Sequence, residues 1–173
     1  MNKRTRCIVV CVIVCVVVSL GLYAIISQKS TLVTIEPHTL YDVVEVMDGD
    51  TLRVKVNHKV ITVRLLGINT PETVDPRRGV GCFGPEASKQ TKELLTGQKI
   101  FLALNPKREV LDRYGRYLAY IYREDGLFIN EKLLTEGYAR EYTYGSPYSL
   151  QKEFKSLEKK AKVAQKGLWG TCV

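Results

Sequence analysis

Histidine is scarce in this chain of 173 residues: there are two, His38 and His58. His38 lies in a polar stretch beside Pro37, and His58 lies in the turn Asn57-His58-Lys59. Neither belongs to a pattern that builds a Ser-His-Asp triad or another histidine-based hydrolytic centre. A phosphate-cradling P-loop and a dinucleotide fingerprint are also missing. An EF-hand is excluded because Asp48-Gly49-Asp50 runs on into Thr51-Leu52 and not into further ligands. There are five cysteines. Cys7, Cys11 and Cys15 fall in an apolar stretch, while Cys82 and Cys172 have no histidine near them and make no zinc site. No internal repeat and no low-complexity tract occurs.

There is one long apolar run. Ile8 to Ile26 carries no charge and approaches the ~20 residues that a membrane-spanning helix needs. It exceeds the ~7–15 residues of a signal-peptide core, and Leu22 to Ser27 offers no small-residue cleavage site. The expectation is an uncleaved signal-anchor over residues 1–27, a linker over 28–40 and a domain over 41–173. The alternative is a cleaved signal and a secreted domain. Lys3, Arg4 and Arg6 outnumber Lys29, so the N-terminus is expected to stay cytoplasmic. The domain then lies on the extracytoplasmic side, tied to the lipid bilayer through residues 8–26.

What is abundant is positive charge. The net charge is +8, of which +5 belongs to the chain from Tyr41 onward. A basic domain suits an anionic polymer or an anionic surface, although a merely solvated basic face is as common.

From Tyr41 the pattern is strand-like. Tyr41 to Met47, the alternating Thr51 to Val56 and Val60 to Leu66 read as three strands joined by short turns, a meander that starts a small barrel. Asn69 to Gly84, with Pro71, Pro76, Gly79 and Gly81, reads as a long loop, and such loops are often functional. Arg77 and Arg78 in it either touch phosphate or are solvated. Pro85 opens a helix that stops near Gly97. Lys99 to Leu104 and Tyr117 to Tyr122 are the fourth and fifth strands. Asn130 is expected to cap a helix from Glu131 to Glu136, with Gly137 as its stop. A last helix from Ser149 to Lys166 carries one apolar stripe of Leu150, Phe154, Leu157, Ala161 and Ala164. The class is α+β, with helices set against a small barrel.

The candidate chemistry concentrates in Ile61 to Glu72. Arg64 is an arginine inside an apolar strand, costly to bury unless it meets an anion. The strand runs into Asn69-Thr70-Pro71-Glu72, crowded with oxygen donors. Asp48 and Asp50 add carboxylates, and oxygen clusters suit a hard cation, Ca²⁺ or Mg²⁺. Arg116 follows the turn Asp112-Arg113-Tyr114-Gly115. Two arginines with a carboxylate and a metal make a phosphoryl-transfer set. The plain alternatives are a hairpin turn for Asp48-Gly49-Asp50, a salt bridge across the barrel for Arg64 and an exposed loop charge for Arg116.

These segments together resemble the staphylococcal nuclease-like (thermonuclease) family. The carriers appear in order: Asp48-Gly49-Asp50-Thr51; Val63-Arg64-Leu65-Leu66 with Thr70-Pro71-Glu72; Gly84-Pro85-Glu86-Ala87-Ser88; Asp112-Arg113-Tyr114-Gly115-Arg116 with Leu118-Ala119-Tyr120; and Gly167-Leu168-Trp169. The resemblance covers roughly Tyr41 to Trp169. It implies a five-stranded OB-fold β-barrel with three helices, here preceded by one N-terminal transmembrane helix. It implies Ca²⁺-dependent hydrolysis of DNA and RNA, preferably single-stranded or flexible, with cleavage of the P–O5′ bond and 3′-phosphate ends. By the same resemblance Arg64, Glu72 and Arg116 are catalytic. Asp50, Asn69 and the Thr70 carbonyl hold the metal, and Arg113, Tyr114 and Tyr142 line the nucleotide site. Asn69 stands where the family usually has a second aspartate, so weaker metal affinity is expected. Cys82 and Cys172 lie outside the pattern of the best-known member and are expected to be bonded, pinning the C-terminus to the long loop; the alternative is two free thiols. The protein is expected to act as a monomer. Two rival readings remain: a catalytically weak or inactive OB-fold module that binds nucleic acid, and a structural envelope protein resting on anionic polymers.

Overall fold

Alternation of buried and exposed side chains sets the architecture. In a computed structural model, residues 32–73 and 79–172 are described. Strand β2 (Thr51–Val56) buries Leu52, Val54 and Val56 and turns Arg53 and Lys55 outward, the period-two pattern of a half-buried strand. Strands β1 (Leu40–Asp48) and β3 (Lys59–Leu65) flank it in antiparallel register. β1 is broken by irregularities at Val43/Glu45 and Val46/Asp48, which let it bend around the barrel. Strand β4 (Ile68–Asn69) is a short continuation beyond Gly67. Helix α1 (Gly84–Leu95) leads to β5 (Lys99–Leu104) and β6 (Tyr117–Arg123). Helix α2 (Ile129–Thr135), strand β7 (Arg140–Glu141), helix α3 (Gln151–Val163) and the single-turn helix α4 (Leu168–Thr171) complete the order.

The strands close as β1-β2-β3-β6-β5, with β1 returning to β5. All pairs are antiparallel except β3–β6, where Val63, Arg64 and Leu65 lie beside Tyr117, Leu118 and Ala119 in parallel. The barrel is filled by fully buried Leu52, Val54, Val63, Leu65, Ile100 and Ile121. α2 and α3 cover one end through Leu133, Leu134 and Phe154; the Phe154 ring meets Tyr120 edge-on at 6.0 Å. This unit runs over Ile35–Val173.

The five-stranded barrel with helices agrees with the α+β expectation, and four details differ. A fourth helix of one turn, α4, follows Gly167. The pair β4–β7 makes a second, two-stranded sheet. α3 is shorter than the apolar stripe suggested, ending at Val163, which is exposed. Asn130 is not a cap: Phe128 precedes the helix and Asn130 lies inside it, fully buried. Its Oδ1 accepts from the Ile121 N–H at 3.0 Å and its Nδ2 donates to the Leu66 carbonyl at 2.9 Å. Asn130 instead ties α2 to strand β6 and to the turn that follows β3.

Three tethers hold the site region. Thr91 of α1 donates to the Gly49 carbonyl at 2.7 Å, clamping the β1–β2 turn. Gly137 and Gly167 meet backbone to backbone: a Cβ on Gly137 would lie 2.1 Å from the Lys166 carbonyl oxygen. Cys82 and Cys172, 90 positions apart, are joined as a disulfide with Cα atoms 5.9 Å apart. The anchor expected over residues 8–26, and Arg77 and Arg78, lie outside the described residues. Among the described residues no helix is long and apolar enough to cross a membrane.

Candidate active site

The Asp48-Gly49-Asp50 turn joins β1 to β2, and it is more than a hairpin corner. Both carboxylates are buried, at 8% and 6% exposure. A Cβ on Gly49 would lie 2.7 Å from Thr70 Oγ1, so only glycine lets the Thr70 side chain dock on the turn. Asp50 Oδ2 accepts from the Thr70 N–H at 2.9 Å and the Thr70 hydroxyl at 3.1 Å, and Oδ1 accepts from Thr51 at 3.0 Å. Asp48 Oδ1 accepts from the Gly49 N–H at 2.8 Å and the Thr73 hydroxyl at 2.5 Å. Burial raises the Asp48 carboxyl above the usual carboxylate range, the Thr73 and Gly49 bonds oppose this, and the charges of Asp50 and Glu72 push it up again. Asp48 therefore feels two further carboxylates here.

Arg64 projects from β3 into this cluster. It is 8% exposed. Its Nη2 pairs with Asp50 Oδ2 at 2.9 Å and donates to Asn69 Oδ1 at 2.9 Å; Nη1 donates to the carbonyls of Leu65 at 2.8 Å and Ile68 at 2.7 Å. Burial pulls its pKa below the ordinary arginine value, Asp50 holds it up and Arg116 pulls it down again. Arginine keeps its charge under such a shift. Arg64 and Arg116 line the same cleft, so two guanidinium groups serve one site. Arg64 thus makes a salt bridge, but not one across the barrel: its partner Asp50 precedes Thr51, the register neighbour of Arg64 on the adjacent strand.

Arg116 is positioned by a local device. Asp112 Oδ1 accepts from the N–H groups of Tyr114 at 2.9 Å and Arg116 at 3.0 Å, and Gly115 supplies the positive φ of the turn. Asp112 Oδ2 then takes Arg116 Nε at 2.7 Å and Nη2 at 2.6 Å. Nη1 of Arg116 has no partner among the described residues. Arg116 is half-buried, not a solvated loop charge.

Beyond these pairs the wall turns aromatic. The rings of Tyr142 and Tyr144 stack at 6.5 Å and 22°. The Arg113 guanidinium lies over Tyr114 at 4.7 Å and Tyr144 at 5.6 Å. Tyr142 is set by its N–H bond to the Gly67 carbonyl at 3.0 Å, beside β4–β7. One cleft of about 670 Å³ is lined by Arg64, Glu72, Arg116, Asp50, Asn69, Thr70, Arg113, Tyr114 and Tyr142, every candidate from the sequence except the cysteines. Asp48, Arg108, Asp112, Tyr144 and Tyr148 line it as well. Asp48 and Asp112 were foreshadowed by their places in the motifs, and Tyr144 and Tyr148 by the crowding of Tyr142, Tyr144 and Tyr148 in one loop with Gly145 and Pro147. Arg108 had no signal.

The donors near Asp50 are all oxygen, as a hard divalent cation requires. Among the described residues no three acidic, histidine or cysteine side chains form a ready cage. Amide and backbone oxygens would have to complete the set, and two of these are engaged. Asn69 Oδ1 faces Arg64, and Asn69 Nδ2 donates to the Thr70 carbonyl at 3.1 Å. The amide orientation is forced, because arginine only donates and a carbonyl only accepts. The donor chemistry fits a cation, provided that Arg64 and Asn69 release oxygens they now hold.

A family model described as "Staphylococcal nuclease homologue" matches residues 62–171. The chain belongs to the staphylococcal nuclease family. Among family members, the Thermonuclease of Staphylococcus hyicus is 41% identical over 129 residues, covering 75% of this chain and 75% of that protein. The SPbeta prophage-derived endonuclease YokF of Bacillus subtilis (strain 168) is 43% identical over 124 residues, 71% of this chain and 41% of its own length. Endonuclease YncB of the same organism is 41% identical over 124 residues, 71% of this chain and 58% of its own length. The closed barrel suits the family, and the matched span includes Arg64, Asn69, Glu72, Arg116 and the tyrosine wall.

Proposed function

We propose that this protein is a Ca²⁺-dependent nuclease that hydrolyses phosphodiester bonds of DNA and RNA and leaves 3′-phosphate ends. The observation that carries this is the convergence of Arg64, Arg116 and Glu72 on one cleft beside buried Asp50. Asp50, the Thr70 carbonyl and Asn69 Oδ1 would hold the cation, which supplies positive charge to the scissile phosphate. Glu72 positions a water for in-line attack on phosphorus and accepts its proton. The P–O5′ bond breaks, and the 5′-oxygen leaves and takes up a proton. Arg64 and Arg116 stabilise the charge that grows on the phosphorus oxygens; Nη1 of Arg116 is uncommitted for this purpose. Tyr114 and Tyr142 stack against bases, and Arg113 adds charge beside them. Stacking requires bases out of a duplex, which favours single-stranded or flexible substrates.

The test is to incubate the full-length protein with single-stranded DNA and RNA, with Ca²⁺ or with chelator, and to analyse the ends. Ca²⁺-dependent cutting to 3′-phosphates supports the reading, and Glu72→Gln should slow it by at least 10²-fold. One observation favours the rival binding module: Arg64 and Asn69 occupy the oxygens that a cation needs. Retained DNA binding without cutting would establish that module.

We also propose that residues 8–26 anchor the chain in the membrane, that the domain acts extracytoplasmically as a monomer, and that the Cys82–Cys172 bond forms there. Protease accessibility on intact cells, fractionation of membrane from medium, and light scattering test these three points. Shed protein in the medium would favour the cleaved alternative.

A further inference from the structure

The cations of the cleft fall into two classes. Arg64 is matched to Asp50 and Arg116 to Asp112. Arg108 and Arg113 have no carboxylate partner among the described residues; their partners are the neutral Ser146 carbonyl and tyrosine hydroxyls. Positive charge is therefore uncompensated at the end of the cleft walled by Tyr142 and Tyr144.

Arg108 belongs to the β5–β6 loop. Its backbone N–H closes a turn on the Asn105 carbonyl at 3.1 Å. Its Nη1 donates to the Ser146 carbonyl at 2.6 Å, which pins the guanidinium against the tyrosine-bearing segment. Nε is buried without any partner, and Nη2 makes no bond among the described residues. Nε is covered by the protein itself, so Nη2 is the donor left to meet an oxyanion.

We propose that Arg108 binds a backbone phosphate of the substrate strand neighbouring the phosphodiester being cut, so that the cleft grips more than one nucleotide. This rests on the nuclease reading above. Its chemistry is that of a single-stranded polynucleotide: phosphate on Arg108, bases against the Tyr142–Tyr144 stack.

The test uses the full chain and a fluorescent single-stranded oligodeoxynucleotide in chelator, with affinity measured by anisotropy over a salt series. Losing one phosphate contact flattens the log-affinity against log-salt slope by about 0.7 for a single strand. Arg108→Gln, which removes the charge and keeps a donor, should show that loss; Arg108→Lys should keep the slope. In Ca²⁺ assays Arg108→Gln should raise KM several-fold on long oligonucleotides with kcat unchanged, and leave dinucleotide cleavage alone. An Arg108→Gln slope equal to wild type overturns the inference, as does an equal effect of Gln and Lys, which would mark Arg108 as a brace for the loop. If wild type cuts and the Gln slope is unchanged, only this inference falls. If wild type neither binds nor cuts, both readings fall.

Discussion

Asn69→Asp is the substitution with the most to say about the metal. In the present network one side of the amide accepts from Arg64 and the other donates to the Thr70 carbonyl. Aspartate keeps the first contact and reverses the second, so that a carboxylate oxygen faces a carbonyl oxygen at about the 3.1 Å now spanned by a hydrogen bond. Without a cation that exchange costs about 1–2 kcal/mol. The new charge beside Arg64 returns part of it, so the metal-free variant should fall within about 1 kcal/mol of wild type. With calcium the same two oxygens would serve as joint donors, and an anionic ligand would replace a neutral one. Charge count tunes such sites over orders of magnitude. A ten- to hundredfold tighter Kd corresponds to about 1.4–2.8 kcal/mol. At saturating Ca²⁺ this appears as added stability, roughly 5–10 °C in Tm for a domain of roughly 130 residues. Thermal melts in chelator and across a CaCl₂ series, with titration calorimetry for Kd, measure it. A Ca²⁺-dependent Tm rise in Asn69→Asp no larger than in wild type refutes the reasoning.

Other outcomes follow from the same geometry. Arg64→Met leaves Asp50 buried without its cation and should cost about 3–5 kcal/mol, read by urea denaturation. Gly137→Ala sets a Cβ at 2.1 Å from a carbonyl oxygen, at φ +73, and should cost about 3 kcal/mol; Gly97→Ala, with open space around it, should lose only the left-handed penalty of about 1 kcal/mol. Replacing both Cys82 and Cys172 by serine should cost about 3 kcal/mol, roughly 10 °C in Tm, and dithiothreitol should destabilise wild type but not the variant. Bonds from Arg123 and from the Leu127 N–H lower Asp125 from 3.8 to about 2. A depressed acid stabilises the fold above its unfolded pKa and loses that contribution as pH falls from about 4 toward 2. Asp125→Asn should therefore flatten the stability curve across that window, as seen in melts at stepped pH.

The barrel strands were legible because Thr51 to Val56 alternates and Val60 to Leu66 is β-branched, which are local signals. The site residues on motif turns were legible for the same reason: a turn gathers its own carboxylates. Asn130 misled because a polar residue before an apolar run has the signature of a cap, while its true partners, Ile121 and Leu66, are nine and sixty-four positions away. The β4–β7 pair is two residues per strand, too short for any periodicity. Arg108 could not be distinguished from other surface cations, since its meaning depends on Ser146 and on carboxylates it lacks. Asp112 shows the reverse case, a local device whose purpose is visible only once Arg116 is seen gripped.

The parallel seam between β3 and β6 has a consequence for when the cleft can form. Arg64 and Arg116 are 52 positions apart in the chain and share a cleft only because β3 lies in register with β6. A nascent chain that has made only the β1-β2-β3 meander holds Arg64 and Asp50 but no second guanidinium. Until that seam has zipped, no half of the protein holds both guanidinium groups, so the cleft is a product of long-range pairing and not of either half alone.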